Sequence, residues 1–135
     1  SFKKSMISNT AKIRVRYQET DKMGIAYHAN YFTWLEVARI ELLDYINFPY
    51  TELEKQGYFL PVLRCSCSFK KPAKFDDRLS VEVSVQEFRQ VRMTLHYIIL
   101  KDDDCLAEAN TTHAFVDSSG SVTRPPKDFV RRIKT

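Results

Sequence analysis

The sequence predicts an α+β fold in which a curved antiparallel sheet wraps around one long central helix. Two observations carry this. Residues 30–46 have helical spacing and are apolar around most of the helix circumference. Behind them come about four strand-like stretches joined by short turns, the pattern of an antiparallel meander. A helix that is apolar on most sides needs cover on most sides, and a sheet that curves around it supplies that cover.

The elements follow in order. Residues 12–18 alternate, with Ile13, Val15 and Tyr17 apolar and Lys12, Arg14, Arg16 and Gln18 polar, which predicts a half-buried strand. A polar loop, Glu19-Thr20-Asp21-Lys22-Met23-Gly24, leads through Ile25-Ala26-Tyr27 to the long helix. Asn30 suits the N-cap, where a side-chain oxygen accepts from the first turn. At 100° per residue, Thr33, Glu36, Glu41 and Asp44 fall within about 140° of the circumference. Arg39 lies outside that polar arc and needs a partner, for which Glu36 is a candidate. Pro49 closes the helix, and Thr51–Gln56 predicts a short second helix ended by Gly57.

Strands are expected over 59–69, from Leu79 through Val85, over 92–100 and over 105–116. The clearest alternation is Leu79, Val81, Val83 and Val85 against Ser80, Glu82, Ser84 and Gln86. Turns fall at Arg89-Gln90, at Asp102-Asp103-Asp104 and at Ser118-Ser119-Gly120. Pro126, suited to a first helical position, opens a terminal helix near Asp128–Ile133. Residues 1–10 read as an N-terminal extension and 11–135 as a single domain.

Composition narrows the function. With 135 residues, 44% apolar and 28% charged, the chain fits one globular domain with its own core. No apolar run reaches the ~18 residues that would span a membrane. The first eight residues carry two lysines without an apolar stretch behind them, unlike a secretory signal, which favours a cytoplasmic location. Cys65, Cys67 and Cys105 read as small buried thiols of a reducing compartment rather than a metal or redox site. The net charge of +4 is spread among 17 acidic residues, with no basic-aromatic patch for nucleic acid. A polyanionic small molecule fits that balance well.

The chemistry-bearing stretch is Tyr17–Tyr31, which sets a carboxylate, a glycine and a histidine just before a helix N-terminus. Unpaired N–H groups there can hold an oxyanion, and a nearby carboxylate can serve as nucleophile or general base. On composition alone, an ordinary polar turn before a helix is the stronger reading. The segment Thr20-Asp21-Lys22-Met23-Gly24-Ile25-Ala26-Tyr27-His28-Ala29-Asn30-Tyr31 changes this weighting. It resembles the 4-hydroxybenzoyl-CoA thioesterase family of hotdog proteins, and most of all its YbgC-like acyl-CoA thioesterases. In these an Asp-x-x-Gly loop leads into Tyr-His-x-x-Tyr at the start of the central helix. Glu36, Ala38 and Arg39 continue the resemblance, as does Pro125-Pro126 before the last helix.

The resemblance implies a hotdog thioesterase domain that hydrolyses a short aliphatic or aromatic acyl-CoA without a cofactor or metal. The family's catalytic aspartate falls on Asp21, its carbonyl-polarising backbone amide on His28 and its glycine on Gly24. Lys22-Met23 departs from the small residues common there and could alter substrate access. Tyr27 and Tyr31 are candidates for the acyl pocket, with Met23 and Phe59. Arg64, Arg89 and Arg92 are candidates for the CoA phosphates, with Lys70, Lys71 and Lys74. The resemblance also implies a homodimer or homotetramer in which a loop of one subunit meets the helix start of the other. Other readings are hydrolysis of acyl carrier protein thioesters and non-catalytic acyl-CoA binding. Glu19 is expected to pair with a base, and His96 and His113 to lie outside the chemistry.

Overall fold

A computed structural model describes residues 6–134. Residues 1–5, half of the expected N-terminal extension, lie outside the described residues, as does Thr135. The elements run β1 (Ser8–Arg14), α1 (Asn30–Tyr45), α2 (Tyr50–Lys55), β2 (Val62–Phe69), β3 (Arg78–Arg89), β4 (Arg92–Lys101), β5 (Asp104–Ala114) and α3 (Lys127–Ile133). All strands pair antiparallel in one sheet of order β1-β3-β4-β5-β2. The expected helix–meander order is present. The chain leaves β1 at one edge, passes through α1 and returns as β2 at the other.

Alternation decides which sheet face meets the helix. Leu79, Val81, Val83 and Val85 of β3, and Met93, Leu95, Tyr97 and Ile99 of β4, are buried. They share their face with Ala107, Ala109, Thr111 and His113 of β5 through the register Val83↔Tyr97↔Ala109. A bulge between Val85 and Glu87 shifts the phase, so that Phe88 is buried as well. On α1 the buried stripe is Tyr31, Trp34, Leu35, Ala38, Leu42 and Leu43. At one end of the core Phe129 of α3 packs edge-on against Phe115 and Phe48, with ring centroids 4.9 and 5.3 Å apart.

Several expectations are corrected. The first strand occupies Ser8–Arg14 rather than 12–18, because Tyr17–Glu19 turns into a short 3-10 segment that carries Tyr17 out to solvent. The strand expected from Phe59 begins at Val62, leaving Phe59 in a single bridge to Val116. Helix α1 is buried along one stripe rather than around most of its circumference, since the sheet covers one side. Phe32, Val37 and Ile40 are half-buried, and Tyr45 is exposed. Arg39 turns to the sheet and donates to the Tyr97 hydroxyl (3.3 Å) instead of pairing with Glu36. Cys65 is exposed and Cys67 half-buried because β2 is an edge strand, and Cys105 is half-buried at the start of β5. Pro126 caps α3 rather than opening it.

Candidate active site

The Asp21 loop is built from its own backbone. The Asp21 N–H donates to Ile25 O (2.9 Å), and the Gly24 N–H donates to Asp21 O (3.0 Å). This turn requires Gly24 at φ +76°, a conformation that glycine reaches without steric cost. Asp21 Oδ1 accepts from the Met23 N–H (2.8 Å) and the Ile25 N–H (3.2 Å), which fixes the carboxylate's orientation. Its other oxygen has no hydrogen-bond partner among the described residues. Met23 at the loop tip is 82% exposed, and Asp21 is itself exposed.

Two supports hold this loop. On one side Ile25 bridges Lys74, the Ala26 N–H donates to Ala73 O (2.8 Å) and the Phe75 N–H donates to Gly24 O (3.0 Å). On the other, Glu19 O accepts from the Tyr27 N–H (2.9 Å) and from Asn30 Nδ2 (2.8 Å). Asn30 is thus the first residue of α1 and ties back to the loop, while Ala29 takes the N-cap expected of Asn30. The Asn30 and Tyr31 N–H groups donate back to Tyr27 and His28 carbonyls (3.0 and 3.1 Å). Among the described residues, the His28 N–H has no backbone acceptor. It stands where the chain enters the helix, with the helix dipole behind it.

Asp21 and His28 line one open cavity of about 420 Å³, together with Ile25, Ala26, Tyr27 and Tyr31 of the same segment. The rest of the wall, Phe69, Lys70, Lys71 and Pro72, comes from the end of β2. The loop and helix start that line this cavity belong to one chain. Tyr27 is half-exposed and rests on the His28 ring (4.4 Å). Tyr31 is buried between Trp34 and Phe69, and its hydroxyl accepts from the Ala73 N–H (3.2 Å). Burial pushes the nearby Cys67 thiol up to about 11, so it stays protonated and is a poor nucleophile.

The three candidate arginines lie elsewhere. Phe69 pairs with Ala107, whereas Arg64 pairs with Thr112 and Arg92 with Ala114. At about 3.3 Å per residue, these positions are roughly 17 and 23 Å from the cavity end of the sheet. Arg89 pairs with Arg92 at that far end. Phe69 and Pro72 were missed in the sequence. They lie about fifty residues beyond Asp21, and only the crossover that returns the chain as β2 places them beside it.

Glu19 accepts from the Arg16 N–H (2.8 Å), the Arg16 guanidinium (3.4 Å) and the Trp34 indole (3.0 Å). Burial works against its charge, but these donors together hold its carboxyl below the usual carboxylate range. It pairs with a base, as expected. His96 is not among the residues that line this cavity and lies beside Glu108 (3.6 Å). His113 is fully buried, bonded to Leu60 O (3.3 Å) and Thr111 Oγ1 (2.8 Å).

A family model described as the thioesterase-like superfamily matches residues 15–133. The chain is 34% identical over 106 residues to acyl-CoA thioesterase YbgC of Haemophilus influenzae, covering 78% of each chain. In structure it is similar to a hypothetical protein of Aquifex aeolicus, with TM-score 0.89 and 35% identity over 93% of this chain and 99% of that one. It is also similar to the DHNA-CoA thioesterase of Staphylococcus aureus, with TM-score 0.84 and 31% identity over 88% of this chain and 81% of that one. The chain belongs to the thioesterase-like superfamily, with the hotdog fold and the thioester-hydrolase character that membership carries.

Proposed function

We propose that the protein hydrolyses a short aliphatic or aromatic acyl-CoA to the acid and CoA, with Asp21 as the catalytic carboxylate and the His28 backbone amide as the oxyanion contact. The observation that carries this reading is their shared cavity: an oriented carboxylate and an unpaired N–H at a helix start, opened toward solvent. The thioester carbonyl oxygen accepts from the His28 N–H, which stabilises the negative charge that develops on it. Asp21 then either attacks the carbonyl carbon, expelling CoA thiolate and leaving a mixed anhydride for water to open, or takes a proton from the water that attacks. The thiolate leaves readily, so no strong acid is required. Gly24 shapes the loop, and Tyr27 and Tyr31 with Phe69 form an apolar wall for the acyl group.

For the carrier end, Lys70 and Lys71 stand at the cavity, bonded to Glu108 and Asp104 (3.3 and 3.2 Å). Arg64, Arg89 and Arg92 enter this reading through a second copy. Apart from half-buried Cys67, β2 is exposed along its whole length, an unpaired edge with Leu63 and Phe69 about half uncovered. Two such edges paired about a two-fold axis run antiparallel, setting the Val62 end of one beside the Phe69 end of the other. The second copy's Arg64, Arg89 and Arg92 are then within reach of phosphates leaving this chain's cavity. The half-covered outer side of α1 suits the same homodimer, or a homotetramer built from it. No described helix is long and apolar enough to cross a membrane, and the unpaired thiols suit the reducing cytoplasm.

The test is hydrolysis of a panel of acyl-CoAs and the matching acyl carrier protein thioesters, by wild type and Asp21→Asn. Turnover of short or aromatic acyl-CoAs that Asp21→Asn loses supports the proposal. Preference for the carrier protein thioesters supports that variant, and binding without turnover on any substrate sinks the hydrolase reading.

A further inference from the structure

Asp21 and the His28 amide can act together only if the intervening residues hold them at a fixed separation. The far side of that segment is fastened by the 73–75 backbone. The near side is fastened by one residue that does not line the cavity. Glu19 stands two positions before Asp21 and is 4% exposed. Its carbonyl accepts from Tyr27 and Asn30, the residues on either side of the His28–Ala29 step. Its carboxylate accepts from Trp34, one turn further along α1, and from Arg16 on the strand side. A buried carboxylate is costly in a small domain, and an apolar residue could fill the space without that cost. What the charge supplies is direction: its bonds join Arg16 and the segment before Asp21 to Trp34 in the second turn of α1, and so hold in place the Glu19 carbonyl that ties the helix start.

We propose that Glu19 is a positioning residue that clamps the Asp21 loop to the start of α1 and thereby sets the separation between the Asp21 carboxylate and the His28 amide. This rests on the reading of Asp21 and His28 given above. The carboxylate meets three N–H donors and no acceptor. Glutamine has the same shape but turns an NH2 group toward at least one of those donors, so Glu19→Gln loosens the clamp without opening a cavity. Trp34, the lone tryptophan of the chain, reports on it directly, since its indole N–H is one of the donors.

Steady-state kinetics of Glu19→Gln, alone and with Asp21→Asn, decide the matter. Misplacing reacting groups by about 1 Å costs on the order of 100-fold. Glu19→Gln is therefore expected to lower kcat roughly 10- to 100-fold, leave KM for acyl-CoA within about two-fold, and shift Trp34 emission. With Asp21 already replaced by Asn, Glu19→Gln is expected to lower the residual turnover by less than about two-fold, because no carboxylate remains to be placed. Trp34→Phe, which keeps a ring in the core and removes one donor, gives the same pattern more weakly and serves if Glu19→Gln does not fold. Wild-type kcat in the folded single variants overturns the proposal. So does an equal fold-loss with and without Asp21, which marks general destabilisation. Full activity of Asp21→Asn alone sinks instead the site assignment beneath it, an outcome separable from the other two.

Discussion

Two polar clusters lie within this small fold, and they are built on opposite plans. Around Asp21 the bonds run mainly between backbone groups, and the carboxylate keeps one oxygen toward an open cavity. Beneath the sheet, Arg39, Tyr97, Thr111 and His113 form a closed chain. The Arg39 guanidinium donates to Tyr97 Oη (3.3 Å), Tyr97 and Thr111 hydroxyls share a 2.6 Å bond, and Thr111 meets His113 Nε2 at 2.8 Å. His113 Nδ1 faces Leu60 O (3.3 Å), a carbonyl that can only accept. The direction of donation is therefore set from Arg39 to Leu60, and it closes only while His113 is neutral with its proton on Nδ1. Burial and then the Arg39 charge push His113 down to about 4. The first cluster has an unspent acceptor and a path to substrate. The second has every member engaged, and Tyr97, Thr111 and His113 are buried behind a half-buried Arg39. An open cluster should govern rate, and a sealed one should govern stability.

Substitutions can break that contrast. The largest stability effect is expected for His113→Ala, which deprives the Leu60 carbonyl of its ring partner and leaves Thr111 with Tyr97 alone in a buried site, at a cost on the order of 2–4 kcal/mol. Urea unfolding measures the loss, and kcat per folded molecule should change by less than about two-fold. A large kcat change with intact stability would erase the distinction between the clusters.

Next comes pH. The unfolded chain's His113 titrates near 6.5 and the folded one near 4. As pH falls through this window the unfolded state takes up a proton that the folded state refuses. Stability is thus full above about pH 6.5 and declines toward pH 4, by at most ~3.5 kcal/mol. Glu19 behaves differently. Its carboxyl is held below its usual 4.5, so its contribution is present above that pH and is lost only as pH falls through the lower folded value. Chemical unfolding at stepped pH should show the His113 decline first, and His113→Gln should flatten it.

Smaller still is Gly24→Ala. An added Cβ there meets nothing within 4 Å, so the cost is the backbone's alone at φ +76°, about 1 kcal/mol, with kcat expected to fall several-fold. Smallest is Lys70→Ala with Lys71→Ala, expected to raise KM for acyl-CoA a few-fold at low salt and less at high salt. An equal rise at both salt concentrations would remove these lysines from phosphate contact.

The sequence was legible where the signal was local. The period-two runs of β3 and β4, the long helix and the spacing from Asp21 to His28 are written within single segments, and the structure has them. What could not be read depends on crossovers and on edges. Nothing near Phe69 says that β2 returns beside the Asp21 loop, and nothing near Arg89 says that it ends at the opposite end of the sheet. Glu19 was legible as a paired charge, but not as the tie between loop and helix, because its partners include Trp34, fifteen residues away. His113 breaks the simple alternation for a physical reason: it is a polar residue on the apolar face, satisfied by Thr111 two positions earlier on the same strand.

The central claim is that an exposed, oriented carboxylate at Asp21 performs the hydrolysis. It is tested most directly by kcat of Asp21→Asn on the best acyl-CoA substrate, with thermal unfolding run in parallel. Asparagine keeps the Oδ1 acceptor for the Met23 and Ile25 N–H groups, so the loop should stand and the melting temperature should hold. The account predicts a kcat loss of about 1,000-fold or more at unchanged stability. Wild-type turnover by the folded variant would contradict it.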